Sequence, residues 1–142
     1  MLLYAVKLVA MQNKSPTVKK LGQIEADISQ AIVKFEKQYM GRGPNEIRSH
    51  ILDDLVIVRL RGILTAAEQE LARTGGLERG TLLVKSVRTE LLEKARPLLE
   101  SLIRDITGRK VVSMHTDLST RLGERLLVFV LDAPVAGSPE SA

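Results

Sequence analysis

Residues 46–61, EIRSHILDDLVIVRLR, decide the fold. Glu46 to Leu52 alternates, with Ile47 and Ile51 on one side, and Leu55 to Arg61 is rich in Val, Ile and Leu. Both halves therefore read as strands. Asp53-Asp54 falls between them as a tight turn, although Asp-Gly would be the stronger signal. A two-residue turn sets the register: Ile51 faces Val56, Ser49 faces Val58 and Ile47 faces Leu60. That set is the expected core face. The other face pairs Leu52 with Leu55, His50 with Ile57 and Arg48 with Arg59. Two arginines so placed repel unless they are solvated or bridged by an anion, a carboxylate or a partner subunit.

Upstream, Ser15-Pro16 suits a helix N-cap followed by the first helical position. Val18, Leu21, Ile24, Ile28, Ile32, Phe35 and Tyr39 then recur in steps of three and four, one stripe on a helix. Gly41-Arg42-Gly43-Pro44 stops it. Downstream, Thr65-Ala66-Ala67-Glu68 reads as a capping box opening a short helix that ends at Gly75-Gly76. A longer helix is expected from about Glu78 to Thr107, with Pro97 kinking or breaking it near Ala95-Arg96. Two more strands, Lys110 to Asp117 and Arg125 to Asp132, follow Gly108. Helix, hairpin, helices, hairpin is the order of an α+β domain. The expected architecture is a two-layer sandwich, a mainly antiparallel four-stranded sheet with helices on one face. Residues 16–132 form that single domain, 1–15 an apolar N-terminal extension and 133–142 a disordered tail.

Composition excludes more than it proposes. The 142 residues hold 21 Lys and Arg against 17 Asp and Glu, a net charge of +4, with no Cys, no Trp, two His, two Tyr and two Phe. Without Cys there is no disulfide, thiolate metal site or Cys nucleophile. Four aromatic rings are too few for platforms that stack single-stranded bases. The opening run MLLYAVKLVA is far shorter than the roughly 20 residues a spanning helix needs, and it lacks the basic flank of a secretory signal. An extra strand or a loose extension accounts for it; a peripheral membrane foot is the sharper alternative. A cytoplasmic protein, not integral to the membrane, is expected.

Candidate chemistry collects on the sheet. Alternation along the third strand puts Val111, Ser113, His115 and Asp117 outward, with Val112, Met114, Thr116 and Leu118 on the core face. Ser, His and Asp in a row tempt a triad reading. However, neighbours on one strand face stand roughly 6.5–7 Å apart, beyond hydrogen-bond contact. A solvated strand face accounts for each residue alone. His50 and His115 belong to different hairpins, and no metal motif or phosphate loop is present, so no metal or cofactor is expected. Arg48, Arg59 and Arg61 share the outer face with His50, and Lys14, Lys19 and Lys20 add positive charge at the first helix. That patch is compatible with an anion, a nucleotide or RNA, but lacks aromatic interleaving and any recognised nucleic-acid motif. Leu126 to Leu131 is apolar on both faces. A half-exposed antiparallel sheet should alternate. Either the N-terminal run or the tail covers the outer face, or it packs against a second subunit, and a symmetric homodimer through the sheet face is the preferred explanation.

The stretches FEKQYMGRGP (35–44), DDLVIVRLRGILTAAEQEL (53–71), ARPLLESLI (95–103) and VVSMHTDLSTRLGERLLVFVLD (111–132) resemble the MpsC-like family of small bacterial proteins. That family is named for an association with sodium-translocating, membrane-potential-generating systems. The resemblance spans about residues 18–132 and takes in Arg42, Gly43, Pro44, Asp54, Arg59, Gly62, Thr65, His115, Asp117, Ser119 and Glu124. It implies a cytoplasmic accessory to a membrane ion- or bicarbonate-handling complex, and brings no catalytic mechanism or cofactor. The leading expectation is a non-enzymatic, dimeric accessory or regulatory protein, peripheral to the inner membrane, with a membrane-protein partner. The alternative is an anion-, nucleotide- or RNA-binding protein. Arg48, His50, Arg59, Arg61, His115 and Asp117 are the candidate anion- or partner-binding residues.

Overall fold

In a computed structural model, residues 20–74 and 79–136 are described. The elements run α1 (Leu21–Tyr39), β1 (Glu46–Leu52), β2 (Leu55–Arg61), α2 (Ala66–Thr74), α3 (Arg79–Thr107), β3 (Val111–Ser119) and β4 (Glu124–Leu131). The chain is an α+β protein with one antiparallel four-stranded sheet, ordered β1-β2-β4-β3. The two hairpins thus join through β2 and β4, which occupy the centre. Ser15, Pro16 and Val18, with the rest of the N-terminal extension, and Gly75-Gly76 lie outside the described residues.

The apolar stripe of α1 fixes the layering. Ile24, Ile28, Ile32 and Phe35 are buried against a sheet face carrying Ile51, Val56, Val58, Leu60, Leu127 and Phe129. Val84, Leu92, Leu99 and Ile103 bring α3 onto the same core. Burying each such side chain is worth about 1.5–3 kcal/mol, so the helical layer and the sheet stabilise one another. Polar bonds tie α1 to the edge strand. Glu25 accepts from the Ile51 amide at 2.8 Å, and the Ser29 and Ser49 hydroxyls meet at 2.7 Å.

Local chemistry follows the sequence closely at the first hairpin. The register pairs Ile51 with Val56, Ser49 with Val58, His50 with Ile57 and Arg48 with Arg59. Asp53 takes φ +59°, the left-handed conformation that a two-residue hairpin turn needs. The capping box forms in both directions: the Glu68 amide donates to Thr65 Oγ1 at 3.1 Å, and the Thr65 amide donates to Glu68 Oε1 at 3.0 Å.

Three expectations need correction. First, α3 runs unbroken through Pro97. Pro97 is exposed, so the Glu93 carbonyl, which it cannot serve, sits on the side open to water. Second, the alternation of β3 inverts at its start, because a bulge lies between Val111 and Ser113. Val111 is buried and Val112 is 65% exposed, the reverse of strict alternation. Third, the chain stays packed beyond residue 132. Val135 is buried, its amide donates to the Asp53 carbonyl at 3.2 Å, and Arg109 Nε donates to the Pro134 carbonyl at 2.9 Å.

Candidate functional site

The sheet face turned away from the helices is a grid of four strands by four rows. Reading across β1, β2, β4 and β3, the first row is Leu52, Leu55, Val130 and Ser113, and the second is His50, Ile57, Val128 and His115. The third is Arg48, Arg59, Leu126 and Asp117; the fourth is Glu46, Arg61, Glu124 and Ser119. One end is therefore apolar and the other charged. No helix of the described residues covers this face, and Leu52, Val112 and Leu126 are among the exposed apolar side chains.

At the charged end, carboxylates answer the arginine repulsion. Glu124 accepts from Arg59 Nε at 2.8 Å and from Arg61 Nε at 3.3 Å. Glu46 accepts from Arg48 Nε at 3.1 Å and lies 3.6 Å from Arg61. The Arg59 hydrogen bond, followed by that from Arg61, holds the Glu124 carboxyl below its ordinary range. Glu46, Arg48, Arg59 and Arg61 line an open depression of about 270 Å³. The structure thus brings Arg48, Arg59 and Arg61 together, with His50 in the next row.

His115 and Asp117 take other roles. His115 lies at the far edge of the sheet from His50, three strand spacings away and so roughly 14 Å across the sheet. Those two imidazoles cannot share an ion. Among the described residues, no group of three His, Asp or Glu side chains could hold a metal. Ser113 and His115 approach to 3.4 Å, but Asp117 turns elsewhere. It accepts from the Leu118 amide at 2.8 Å and pairs with Lys85 of α3 at 3.2 Å, and these contacts hold its carboxyl below the ordinary range. The trio is not a triad.

A second polar constellation, missed in the sequence, lies inside the protein. Arg88 of α3 is 2% exposed and grips Glu68 with Nε and Nη2, both at 2.7 Å, while Nη2 also donates to the Ile63 carbonyl at 2.9 Å. Its Nη1 lies 4.0 Å from Glu36, which is fully buried on α1. Arg125 of β4 points into the same region and is 2% exposed. Burial alone would raise the Glu68 carboxyl, but Arg88 and the Thr65 amide and hydroxyl together lower it to about 2. Glu36 goes the other way: burial raises it and outweighs Arg125 and Arg88. One signal was available. Arg88 falls at helical spacing among Val84, Leu92 and Ala95, and Arg125 alternates with Leu127 and Phe129. Each charge therefore sits on a stripe that is otherwise apolar.

Fold and faces define a small α+β protein, an antiparallel sheet backed by helices on one side and open on the other. The chain belongs to the MpsC family, whose model, described as "Na+-translocating membrane potential-generating system (MpsC)", matches residues 20–133. Among similar proteins is the uncharacterized protein YbcI of Bacillus subtilis (strain 168), 47% identical over 113 residues that cover 80% of this chain and 89% of YbcI. The uncharacterized protein YrhF of the same strain is 26% identical over 117 residues, 81% of this chain and 93% of YrhF. No solved structure matches the chain significantly. No helix among the described residues is long and apolar enough to cross a membrane.

Proposed function

We propose that the chain is a non-enzymatic accessory protein that works as a homodimer through its outer sheet face, on the cytoplasmic side of a membrane ion-translocating system. The family description supports the setting. The row pattern of the open sheet face carries the dimer reading.

The grid is self-complementary about one axis. A two-fold axis in the interface plane, along the strands, sets β2 over β4 of the second copy and β1 over its β3. Leu55 then meets Val130, Ile57 meets Val128, and Arg61 meets Glu124, each from the other copy, while Arg59 alone of the central residues falls over an apolar one, Leu126. At the edges, Arg48 lies over Asp117, whose carboxylate pairs with Lys85 within its own chain, and His50 lies over His115. The perpendicular in-plane axis sets Leu55 over Arg61 and Ile57 over Arg59, apolar against charge. Aligned sheets pack about 10 Å apart and rotated by about 30°, so the match is best over the central strands. The apolar rows supply burial, and the charged rows fix orientation.

A pull-down from native membranes tests the setting. Recovery of an ion-transport subunit supports it, and its consistent absence counts against the accessory role. The depression lined by Glu46, Arg48, Arg59 and Arg61 favours a second reading, anion, nucleotide or RNA binding on the same face. Charge reversal at Arg59 and Arg61 should then abolish binding to RNA or nucleotides; unchanged binding removes the idea.

A further inference from the structure

The turn at residues 120–123 joins β3 to β4 at the end of the sheet where β2 leaves it. Its backbone is stitched to that exit, because the Ile63 amide donates to the Gly123 carbonyl at 3.2 Å. Its side chains reach the start of α3, where Thr120 Oγ1 donates to Thr81 Oγ1 across 3.5 Å. Between this turn, α2 and the first turn of α3 lies a cleft of about 600 Å³. None of the residues lining it belongs to the grid of the outer sheet face, so it is independent of the proposed seam.

Charge of one sign lines the cleft. Arg73 comes from α2 and Arg121 from the turn, so two of its walls each carry a guanidinium. No Asp or Glu is among the described residues that line it. Arg73 pairs with Glu70 one helical turn away, whereas Arg121 is exposed and has no carboxylate partner among the described residues. Such a cleft concentrates counter-ions. Thr81 and Thr120 add two hydroxyls, and at 3.5 Å their mutual hydrogen bond is at its limit, so a better acceptor displaces it at little cost. Leu64, Ala72 and Leu122 supply apolar wall. A few polar groups beside an apolar wall, in a volume of this order, is the usual build of a small-molecule site.

We infer that this cleft binds a phosphate monoester, with the phosphate between Arg73 and Arg121 and the organic body on Leu64, Ala72 and Leu122. Two guanidinium forks and two hydroxyls offer more hydrogen bonds than the two oxygens of a carboxylate take up. A phosphate monoester presents three acceptor oxygens and a larger negative charge, which suits both the donors and the field. The volume leaves room for a body beyond the phosphate.

Amide NMR of the isotope-labelled full chain tests this, with inorganic phosphate, adenosine monophosphate and adenosine as probes at one ionic strength. Phosphate and adenosine monophosphate should shift the amides of Thr81 and of residues 120–123 saturably, the ester more tightly, and adenosine should not. Arg121→Ala or Arg73→Ala should weaken ester binding about tenfold. Arg104→Ala, which removes the same charge at the far end of α3, should leave it unchanged. No saturable shift with either phosphate at millimolar concentration overturns the proposal, as do shifts confined to the strands that carry Arg48, Arg59 and Arg61. Equal ester binding by the wild type and Arg121→Ala overturns it too. Adenosine monophosphate no tighter than inorganic phosphate overturns the role given to the apolar wall. Sedimentation with phosphatidate vesicles, but not phosphatidylcholine ones, and its loss in Arg121→Ala would identify the monoester as a lipid headgroup; saturable binding without sedimentation identifies a free ester.

Discussion

At Arg88 the long helix, the capping box of α2 and the exit of β2 are tied together, because one guanidinium serves Glu68 twice and the Ile63 carbonyl once. Glu68 is thereby both a helix cap and a counter-ion. Its folded carboxyl titrates at about 2 against an ordinary 4.5, so it stabilises the fold above pH 4.5. That contribution disappears as pH falls through about 2. Glu36 has the opposite sign: its folded carboxyl is raised above 4.5, so its contribution is complete below that pH and is lost as pH rises through the folded value. Urea titrations at a series of pH values should therefore show Glu68→Gln removing much of the acid limb. A Glu68→Gln profile that keeps the wild-type acid limb would show that the pairing is not what holds Glu68 down. Gly62 makes a separate demand. It has φ +67°, and a Cβ there would overlap the side-chain amide of Asn45. Gly62→Ala should cost roughly 2 kcal/mol or more, read as a lower urea midpoint with unchanged slope.

The elements show where sequence reasoning reached and where it stopped. The β1–β2 hairpin was legible down to residue pairs, because a two-residue turn and an alternating face leave one register. Likewise, α1 was legible from its stripe and α2 from Thr65 and Glu68. The start of β3 was not, because a bulge adds a residue without any glycine or proline to announce it. Nor was the inner cluster: periodicity assigns Arg88 and Arg125 to buried stripes but cannot say which carboxylates meet them. The break expected near Pro97 does not occur. Its position on the exposed side of α3 lets the helix continue, since water serves the carbonyl that the ring leaves unbonded. Pro97→Ala should restore that bond and raise stability by about 1–3 kcal/mol, seen as a higher urea midpoint. A lower midpoint would mean that the ring is packed in a way its exposure does not suggest.

For the whole molecule, the question is which surface meets a partner. Two apolar surfaces compete. The outer sheet face offers Leu55, Ile57, Val128 and Val130 beside paired charges. The flank of α3 offers exposed Leu83, Val87, Leu91 and Leu98. Of the two, the sheet face is legible in the sequence, from the two-sided apolar run of β4. Self-complementarity of rows singles out the sheet. Light scattering on the purified chain at micromolar concentration, with Ile57→Asp and Val87→Asp beside the wild type, tests it most directly. The wild type and Val87→Asp should scatter at twice the 15.7 kDa chain mass, and Ile57→Asp at the mass of one chain. A wild-type monomer, or a dimer that Val87→Asp breaks and Ile57→Asp does not, would contradict a seam on the sheet face.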